Sequence, residues 1–359
     1  METALSFGIE LEFAVALLKD PNNPLTAKEN QNRYQHIPSD SLRGQLQGKD
    51  GLPIAPTPLT VHRHICQVLV NAGTNCEVEY DQAKDEYTTW IVTSDLSIES
   101  PLSDFANRFH WYGVEVKSPA RYYFEDSITE IKKVCRVLTE NYLLNTNEST
   151  GLHVHVGLGS QNYSIPHLRR LAAFVWAFEN YFDTLHPKHR INTQYTRSMR
   201  YGSGWVEETS DSPTVKNGVR HFLTTPCDSL SDLASEVSSF REMAYNFFNL
   251  QGPRWDYQDG KKTVEFRQHE GSLDEDVISH WIHVCVGIVQ FCRCTSDTAE
   301  FDALFDKMTV YEDVHELQPD ANRTTVIDLL KAIGLEDQAE YYATRGGIRD
   351  IVEYTTELF

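Results

Sequence analysis

Two short segments pair acidic or imidazole side chains at the spacing of a β-strand. Glu10 and Glu12 lie two residues apart in GIELEF, and His153 and His155 have the same spacing in TGLHVHVG. Because side chains alternate between the faces of a strand, each pair is predicted to share one face, opposite apolar neighbours. Adjacent carboxylates repel each other unless a cation lies between them, and imidazole is a common metal ligand.

Two further segments add single candidates of the same kind. Glu115 lies in VEVKSP, and Glu265 shares a strand face with Arg267 in TVEFRQHE. Each motif alone also fits a solvated strand face, a hydrogen-bonded core histidine or a weak surface ion pair. Together they predict a sheet with a polar face that suits Mg²⁺ or Mn²⁺ better than structural Zn²⁺. Arg267 could contact phosphate in a bidentate manner.

The composition restricts the partners of this chain. Its 359 residues include 52 acidic and 32 basic side chains, for a net charge of −20, which disfavours nucleic acid and anionic membranes. The seven cysteines form no CxxC pair, as expected for reduced thiols in a cytosolic protein. We find no secretion signal, and the most apolar stretch, 281–291, is predicted to be a buried helix. A cytoplasmic location is therefore expected.

The elements that would position these residues follow from hydrophobic periodicity. Strands are predicted at 5–15, 111–118 and 151–159, with a hairpin of 75–80 and 87–93 and a strand pair of 243–250 and 263–269. Helices are predicted at 61–70, 127–144, 165–185, 230–240 and 274–292, the last with its N-cap within 272–276. Residues 187–226 are expected to be irregular.

The order of these elements predicts an α+β fold, an antiparallel sheet with helices packed on its outer face. Residues 1–297 are expected to form the main domain, and residues 298–359 a helical C-terminal tail. A long polar loop at 19–60 is a candidate lid over a site, because loops of this length are commonly functional or disordered.

The ordered set of motifs GIELEF, VEVKSP, TGLHVHVG and TVEFRQHEGSLD resembles the putative amidoligase family. That family belongs to the carboxylate–amine ligase superfamily, with glutamine synthetase and glutamate–cysteine ligase. The resemblance runs from about Phe7 to His283, and Trp90, Asp95 and Ser97 also fit the family pattern. It does not cover the 19–60 loop or the tail.

This resemblance implies a glutamine-synthetase-like catalytic sheet that holds ATP and Mg²⁺ or Mn²⁺. The metal ligands by motif position would be Glu10, Glu12, Glu115, His153 and Glu265. Arg267 would lie near the transferred phosphoryl group, with Glu265 and His155 beside the reaction. Arg190, Arg197 and Arg200 are candidate binders of phosphate or carboxylate.

The implied activity is an ATP-dependent ligase that joins a small, amino-acid-like carboxylate to an amine through an acyl phosphate. Two alternatives stay open: a phosphotransferase like the guanidino kinases, and a relative that binds nucleotide and metal without turnover. The complete metal-type set, with Arg267, argues against the second alternative. The substrates and the oligomeric state cannot be derived from the motifs.

Overall fold

The computed structural model describes residues 4–20, 25, 33–35, 37, 55–79, 88–104, 106–209, 212–251, 261–295, 298–308 and 324–345. The chain divides into two compact units. The first unit comprises Met1–Phe7, Val154–His269 and His280–Phe359, and the second comprises Gly8–His153 and Glu270–Ser279. The expected domain boundary after residue 297 stays a prediction.

The described elements belong to a mixed α/β fold with a large sheet. The strands are β1 (Ser6–Leu18), β2 (Cys76–Val78), β3 (Trp90–Ser94), β4 (Phe109–Lys117), β5 (Arg121–Tyr122), β6 (Leu144–Asn145), β7 (Gly151–Gly157), β8 (Tyr245–Asn246) and β9 (Thr263–Glu270). The helices are α1 (Pro58–Asn71), α2 (Glu125–Asn141), α3 (Ile165–Asp183), α4 (Met199–Gly202), α5 (Gly204–Glu208), α6 (Val215–Thr224), α7 (Leu230–Val237), α8 (Glu275–Cys294), α9 (Thr298–Met308), α10 (Val326–Ala332) and α11 (Glu336–Arg345).

The sheet of the second unit is organised around β1. This strand pairs antiparallel with β4 over nine residue pairs, from Glu10 opposite Lys117 to Leu18 opposite Phe109. Ile9, Leu11 and Phe13 are fully buried on one face, as the alternation of β1 predicts. The two glutamates of β1 consequently lie on the other face.

The predicted hairpin of 75–80 and 87–93 is wrong, because β2 and β3 pair in parallel. Alternation of apolar residues identifies a strand but says nothing of its direction, and parallel strands need a longer connection than a hairpin turn. The predicted antiparallel sheet therefore contains a parallel pair at this edge. Residues 80–87 lie outside the described part of the chain.

A close backbone contact explains one glycine of β4. A Cβ atom on Gly113 would lie 2.5 Å from the carbonyl oxygen of Asp95, so a larger residue would push the two segments apart. The Asp95 carboxylate meanwhile accepts hydrogen bonds from the amide of Ser97 at 2.7 Å and from its hydroxyl at 2.6 Å. Asp95 and Ser97, which fit the family pattern, thus form a turn that packs on the sheet.

In the first unit, α3 is the central buried helix. Its Trp176 packs on Trp205 and Phe222, with ring centroids 5.1 and 5.7 Å away. Helix α6 approaches so closely that a Cβ atom on Gly218 would lie 2.1 Å from the Trp176 ring. The expectation of an irregular 187–226 segment is therefore wrong for α4, α5 and α6. Helices α4 and α5 are too short to show a helical period, whereas the apolar residues of α6 do recur at helical spacing.

The antiparallel strand pair predicted in this unit is confirmed at its centre. Tyr245 and Asn246 of β8 lie opposite Phe266 and Glu265 of β9. The strand is shorter than predicted, since Phe248–Leu250 form a 3₁₀ turn. Residues 252–260 lie outside the described residues.

Helix α8 begins where its capping residue predicts. The Asp274 carboxylate accepts hydrogen bonds from the amides of Asp276 at 2.9 Å and Val277 at 3.1 Å, which satisfies donors that a helix start leaves open. By length and composition α8 could cross a membrane, with a mean hydropathy of 1.3 over its most apolar window. That window is 56% buried, and buried core helices of soluble proteins have the same properties.

The described parts of the 19–60 loop are attached to the second unit. The Leu18 amide donates to the Gln35 carbonyl at 2.8 Å, and the Leu25 amide donates to the Gln35 side chain at 2.8 Å. Leu25 is buried with Leu18 and Phe109. Most of the candidate lid lies outside the described residues, as do 309–323 and 346–359 of the tail. The described tail is helical, as predicted.

Buried His62 of α1 predicts acid sensitivity of the fold. Burial lowers its pKa to about 4 from 6.5, so the unfolded chain binds this proton more readily. The contribution of His62 to the free energy of unfolding is therefore complete above pH 6.5 and is lost as the pH falls towards 4. At pH 5 the loss is about 1–2 kcal/mol. His62→Leu should flatten the acid limb of urea unfolding measured between pH 7 and 5. Gln67→Leu, on the exposed face of α1, is the matched control, and equal slopes in the two variants would contradict the assignment.

Candidate functional site

Three glutamates converge on one face of the sheet in the second unit. Glu10 and Glu12 of β1 are 8% and 6% exposed. Glu12 lies directly opposite Glu115 of β4, and Glu10 lies opposite Lys117. Directly opposite residues of an antiparallel pair are neighbours on the same face, so the register of β1 and β4 brings the three carboxylates together.

His153 of β7 completes this group. Its Nδ1 lies 3.1 Å from Oε2 of Glu10, and its Nε2 lies 3.5 Å from Oε1 of Glu12. The other oxygen of Glu12 accepts a hydrogen bond from the Gly151 amide at 2.6 Å. The imidazole, only 3% exposed, thus lies between two buried carboxylates.

Burial and the neighbouring carboxylates raise the pKa of Glu115 well above its usual value. Burial is the largest cause, followed by repulsion from Glu10, while Lys117 opposes the shift. Taking one ligand atom each, Glu10, Glu115 and His153 place oxygen, oxygen and nitrogen within 4.8 Å of one another. A divalent cation could be bound by such a set and would remove the repulsion.

Lys117 is a site residue that the sequence reasoning missed. Its Nζ lies 3.1 Å from Oε2 of Glu115 and 4.0 Å from Oε1 of Glu79. Glu79 in turn accepts a hydrogen bond from the Thr93 hydroxyl. The signal was present, because Lys117 follows Glu115 by two residues and so shares its strand face. A lysine at the rim of three carboxylates reduces their net charge.

A second group of polar residues lies in the first unit, around Glu265 of β9. Arg267 Nη1 lies 2.6 Å from Oε1 of Glu265, and His155 Nε2 lies 3.8 Å from the same oxygen. The His155 Nδ1 is 3.2 Å from the Thr263 hydroxyl. Glu265 is 4% exposed, so its charge is balanced largely by the guanidinium beside it.

Asn246 of β8 also contacts Glu265 and was missed by the sequence reasoning. Its amide nitrogen donates to Oε2 of Glu265 at 2.7 Å, while its amide oxygen accepts from the Phe248 amide at 2.8 Å. An asparagine within the apolar run AYNFF was the available signal, because a buried amide needs hydrogen-bond partners. Both oxygens of Glu265 are therefore held by fixed donors.

The three other arginines have different surroundings within the first unit. Arg190 is buried and donates from Nη2 to the Arg267 carbonyl at 2.7 Å. Arg197 lies over the Phe240 ring, with its Cζ 4.4 Å from the centroid. Arg200 lies 5.7 Å from the Trp176 ring centroid. Arg190 thus contacts Arg267 directly by a hydrogen bond.

Each unit brings together part of the predicted set. Glu10, Glu12, Glu115 and His153 belong to the second unit, whereas His155, Glu265 and Arg267 belong to the first. The strand β7 supplies one histidine to each group. Trp90 has a different role, because its indole nitrogen donates to Glu130 of α2 at 2.9 Å.

These features define an α/β protein with acidic and imidazole groups on its sheet. The chain belongs to the amidoligase family, since a family model described as "putative amidoligase enzyme" matches residues 3–289. This membership supports a ligase-type enzyme and confirms the resemblance that the motifs suggested.

The other comparisons add little to the family assignment. No curated protein matches the chain. Among solved structures, the chain is similar to a bifunctional glutathione synthetase from Pasteurella multocida, with 11% identity and a TM-score of 0.31. The alignment covers 95% of this chain and 46% of that chain, so this protein spans less than half its length. A TM-score this low supports no argument about fold.

The glutamates of the second unit predict a measurable cation site. Glu10→Gln and Glu115→Gln should each weaken Mn²⁺ binding at least about tenfold in titration calorimetry, because each removes a charged oxygen ligand. Both variants should still fold, since each also removes repulsion between carboxylates.

Glu99→Gln is the control for that experiment, because its side chain is exposed. Mn²⁺ affinity should equal that of the unaltered chain in this variant. Tight Mn²⁺ binding that survives both Glu10→Gln and Glu115→Gln would show that the cation binds elsewhere.

Proposed function

We propose that this protein is an ATP- and Mg²⁺-dependent ligase that forms an amide bond between a small carboxylate and an amine. The observation that carries the proposal is the set of Glu10, Glu115 and His153, whose ligand atoms lie within 4.8 Å of one another. Hard carboxylate oxygens with one imidazole suit Mg²⁺ or Mn²⁺. Family membership supplies the class of reaction.

The proposed metal ligands fit the chemistry of the ion. In the second unit they are Glu10, Glu12, Glu115 and His153, and in the first unit Glu265 is the candidate. A divalent ion held by these residues would supply positive charge for the transfer of a phosphoryl group to the acid. The register of β1 and β4 fixes the backbone positions of Glu10, Glu12 and Glu115.

Arg267 is the proposed contact of the transferred phosphoryl group. A guanidinium presents several donors in a fixed plane, which matches phosphate oxygens and stabilises negative charge where it develops. Nη1 of Arg267 is held by its 2.6 Å contact with Glu265, and 17% of the Arg267 side chain is exposed. His155, 3.8 Å from the same glutamate, is proposed to contact a substrate or a second ion.

The amine must reach the activated acid before water does, because an acyl phosphate hydrolyses. The 19–60 loop is the proposed lid, and its described residues are attached to β1 through Gln35. Arg197 and Arg200 remain candidates for substrate or phosphate contact. We further propose a glutamine-synthetase-like sheet, an amino-acid-like acid substrate and a cytoplasmic location, in keeping with the reduced cysteines.

A screen of ADP release tests this proposal. MgATP is supplied with sets of amino acids and small carboxylic acids, with and without ammonia and simple amines, and amide products are identified by mass spectrometry. Glu10→Gln and Glu265→Gln should each lower ADP release at least about a hundredfold, because each would remove a charged ligand of the proposed metal ion. Glu99→Gln should turn over like the unaltered protein.

The products decide between the proposal and its alternatives. Amide formation that needs both acid and amine supports the ligase. A stable phosphorylated product formed without any amine would instead identify a phosphotransferase. ADP release that is unchanged in both Glu10→Gln and Glu265→Gln would overturn the site assignment.

A further inference from the structure

Arg267 is held at its backbone as well as at its side chain. Its amide donates to the Ala244 carbonyl at 2.9 Å, and its carbonyl accepts from Arg190 Nη2 at 2.7 Å. Its Nε donates to the Tyr195 carbonyl at 3.4 Å, in addition to the Nη1 contact with Glu265. Arg190 and Tyr195 both lie within residues 190–200, which we call the 190–200 segment.

Internal hydrogen bonds give the 190–200 segment a defined shape. The Thr196 hydroxyl donates to the Arg190 carbonyl at 2.7 Å, and the Ser198 amide donates to the Asn192 side chain at 3.2 Å. Asn192 has a φ of 48°, a left-handed conformation that asparagine adopts more readily than most residues. The donor at Arg190 and the acceptor at Tyr195 are thereby kept in one arrangement.

The same segment also controls the strand register beside Arg267. The Arg197 amide donates to the Glu242 carbonyl at 2.7 Å, and the Ala244 amide donates to the Arg197 carbonyl at 2.8 Å. Ala244 is the residue whose carbonyl accepts from the Arg267 amide. A displacement of the 190–200 segment would therefore reach Arg267 through its backbone as well as through Tyr195.

A buried carboxylate on helix α3 anchors this segment. Glu179, 1% exposed, accepts from the Ser198 hydroxyl at 2.6 Å and from the Met199 amide at 3.0 Å. Hydrogen bonds to a buried charged acceptor are stronger than neutral ones, and donors left without an acceptor are costly. Helix α3 is buried over most of its length, so its Glu179 carboxylate attaches the segment to the core of the unit.

We propose that Glu179 and Arg190 are positioning residues that hold Arg267 in the geometry for phosphoryl transfer. Glu179 acts through the 190–200 segment, and Arg190 acts directly on the Arg267 carbonyl. This inference rests on the proposed function for the role of Arg267, but the physical linkage can be measured without turnover. In this proposal Arg190 binds a backbone carbonyl of the protein, whereas the sequence made it a candidate binder of phosphate or carboxylate.

A double-mutant cycle with Arg267→Lys tests the inference. Glu179→Gln and Arg190→Met should each lower the kcat of ADP release about tenfold with KM for MgATP changed less than about threefold, since a small displacement of a catalytic group is costly. In the Arg267→Lys background the same changes should have an effect of less than about twofold. If Glu179→Gln and Arg190→Met lowered kcat as much in the Arg267→Lys background as in the unaltered protein, both residues would have a general structural role. That result would overturn the inference.

Asp183→Asn is the matched control, because Asp183 lies one turn further along α3 and is equally buried. Its Oδ2 has no hydrogen-bond partner in the described part of the chain, whereas both oxygens of Glu179 accept hydrogen bonds from the segment. This variant should leave kcat within about twofold of the unaltered protein. A loss equal to that of Glu179→Gln would overturn the inference, because any buried charge of α3 would then have the same effect.

Amide hydrogen exchange separates this inference from the proposed function. Glu179→Gln and Arg190→Met should accelerate exchange at the amides of Ala244 and Arg267 at least about fivefold relative to Asp183→Asn, because the bonds that fix them are weakened. If the unaltered protein releases no ADP, the proposed function fails while the exchange result still decides on positioning. Unchanged exchange in both variants would overturn the positioning role.

Discussion

The repulsion among buried carboxylates is the constraint on which the second unit depends. Glu10, Glu12 and Glu115 lie on neighbouring strands in direct register, where like charges destabilise a sheet. His153 lies between the first two, and Lys117 contacts the third. Such an arrangement makes the free energy of folding less favourable. Proteins retain clustered charges of this kind at functional sites, for example where the carboxylates bind a cation.

The group around Glu265 solves a related problem in a different way. Each oxygen of its carboxylate contacts one fixed donor, from Arg267 or from Asn246, so much of its charge is compensated within the protein. The contact with Glu265 also fixes the orientation of the Arg267 guanidinium, so that orientation does not depend on a bound substrate. Preorganised charge of this type is the largest contribution to many phosphoryl and acyl transfers.

Much of the element pattern could be predicted from the sequence, and the errors have physical causes. Strands with strict alternation, such as β1 and β7, and long amphipathic helices, such as α2 and α8, were located to within a few residues. The direction of β2 against β3 was wrong, because pairing depends on where the connection runs. Helix α6 lies in the segment that was expected to be irregular, although its apolar residues recur at helical spacing and Phe222 packs on Trp176.

The site was predictable to the extent that a residue's own strand defines its face. Alternation was enough to select both pairs, Glu10 with Glu12 and His153 with His155. Alternation also placed Lys117 on the strand face of Glu115, but it could not identify Asn246 as a partner of Glu265, because that contact requires the neighbouring strand and its side-chain directions. The burial of Arg190 could not be predicted either, since a buried guanidinium and an exposed one look alike in a sequence.

The sequence by itself determined the chemical types of the site, their strand faces and the family to which the chain belongs. Those properties are local or are carried by ordered motifs, so no distant contact is needed to recognise them. Only the tertiary structure decided which charges compensate one another and which residues hold Arg267. Such contacts join residues that lie far apart in the chain, as Glu10 and His153 do, and their distances depend on how the strands pair.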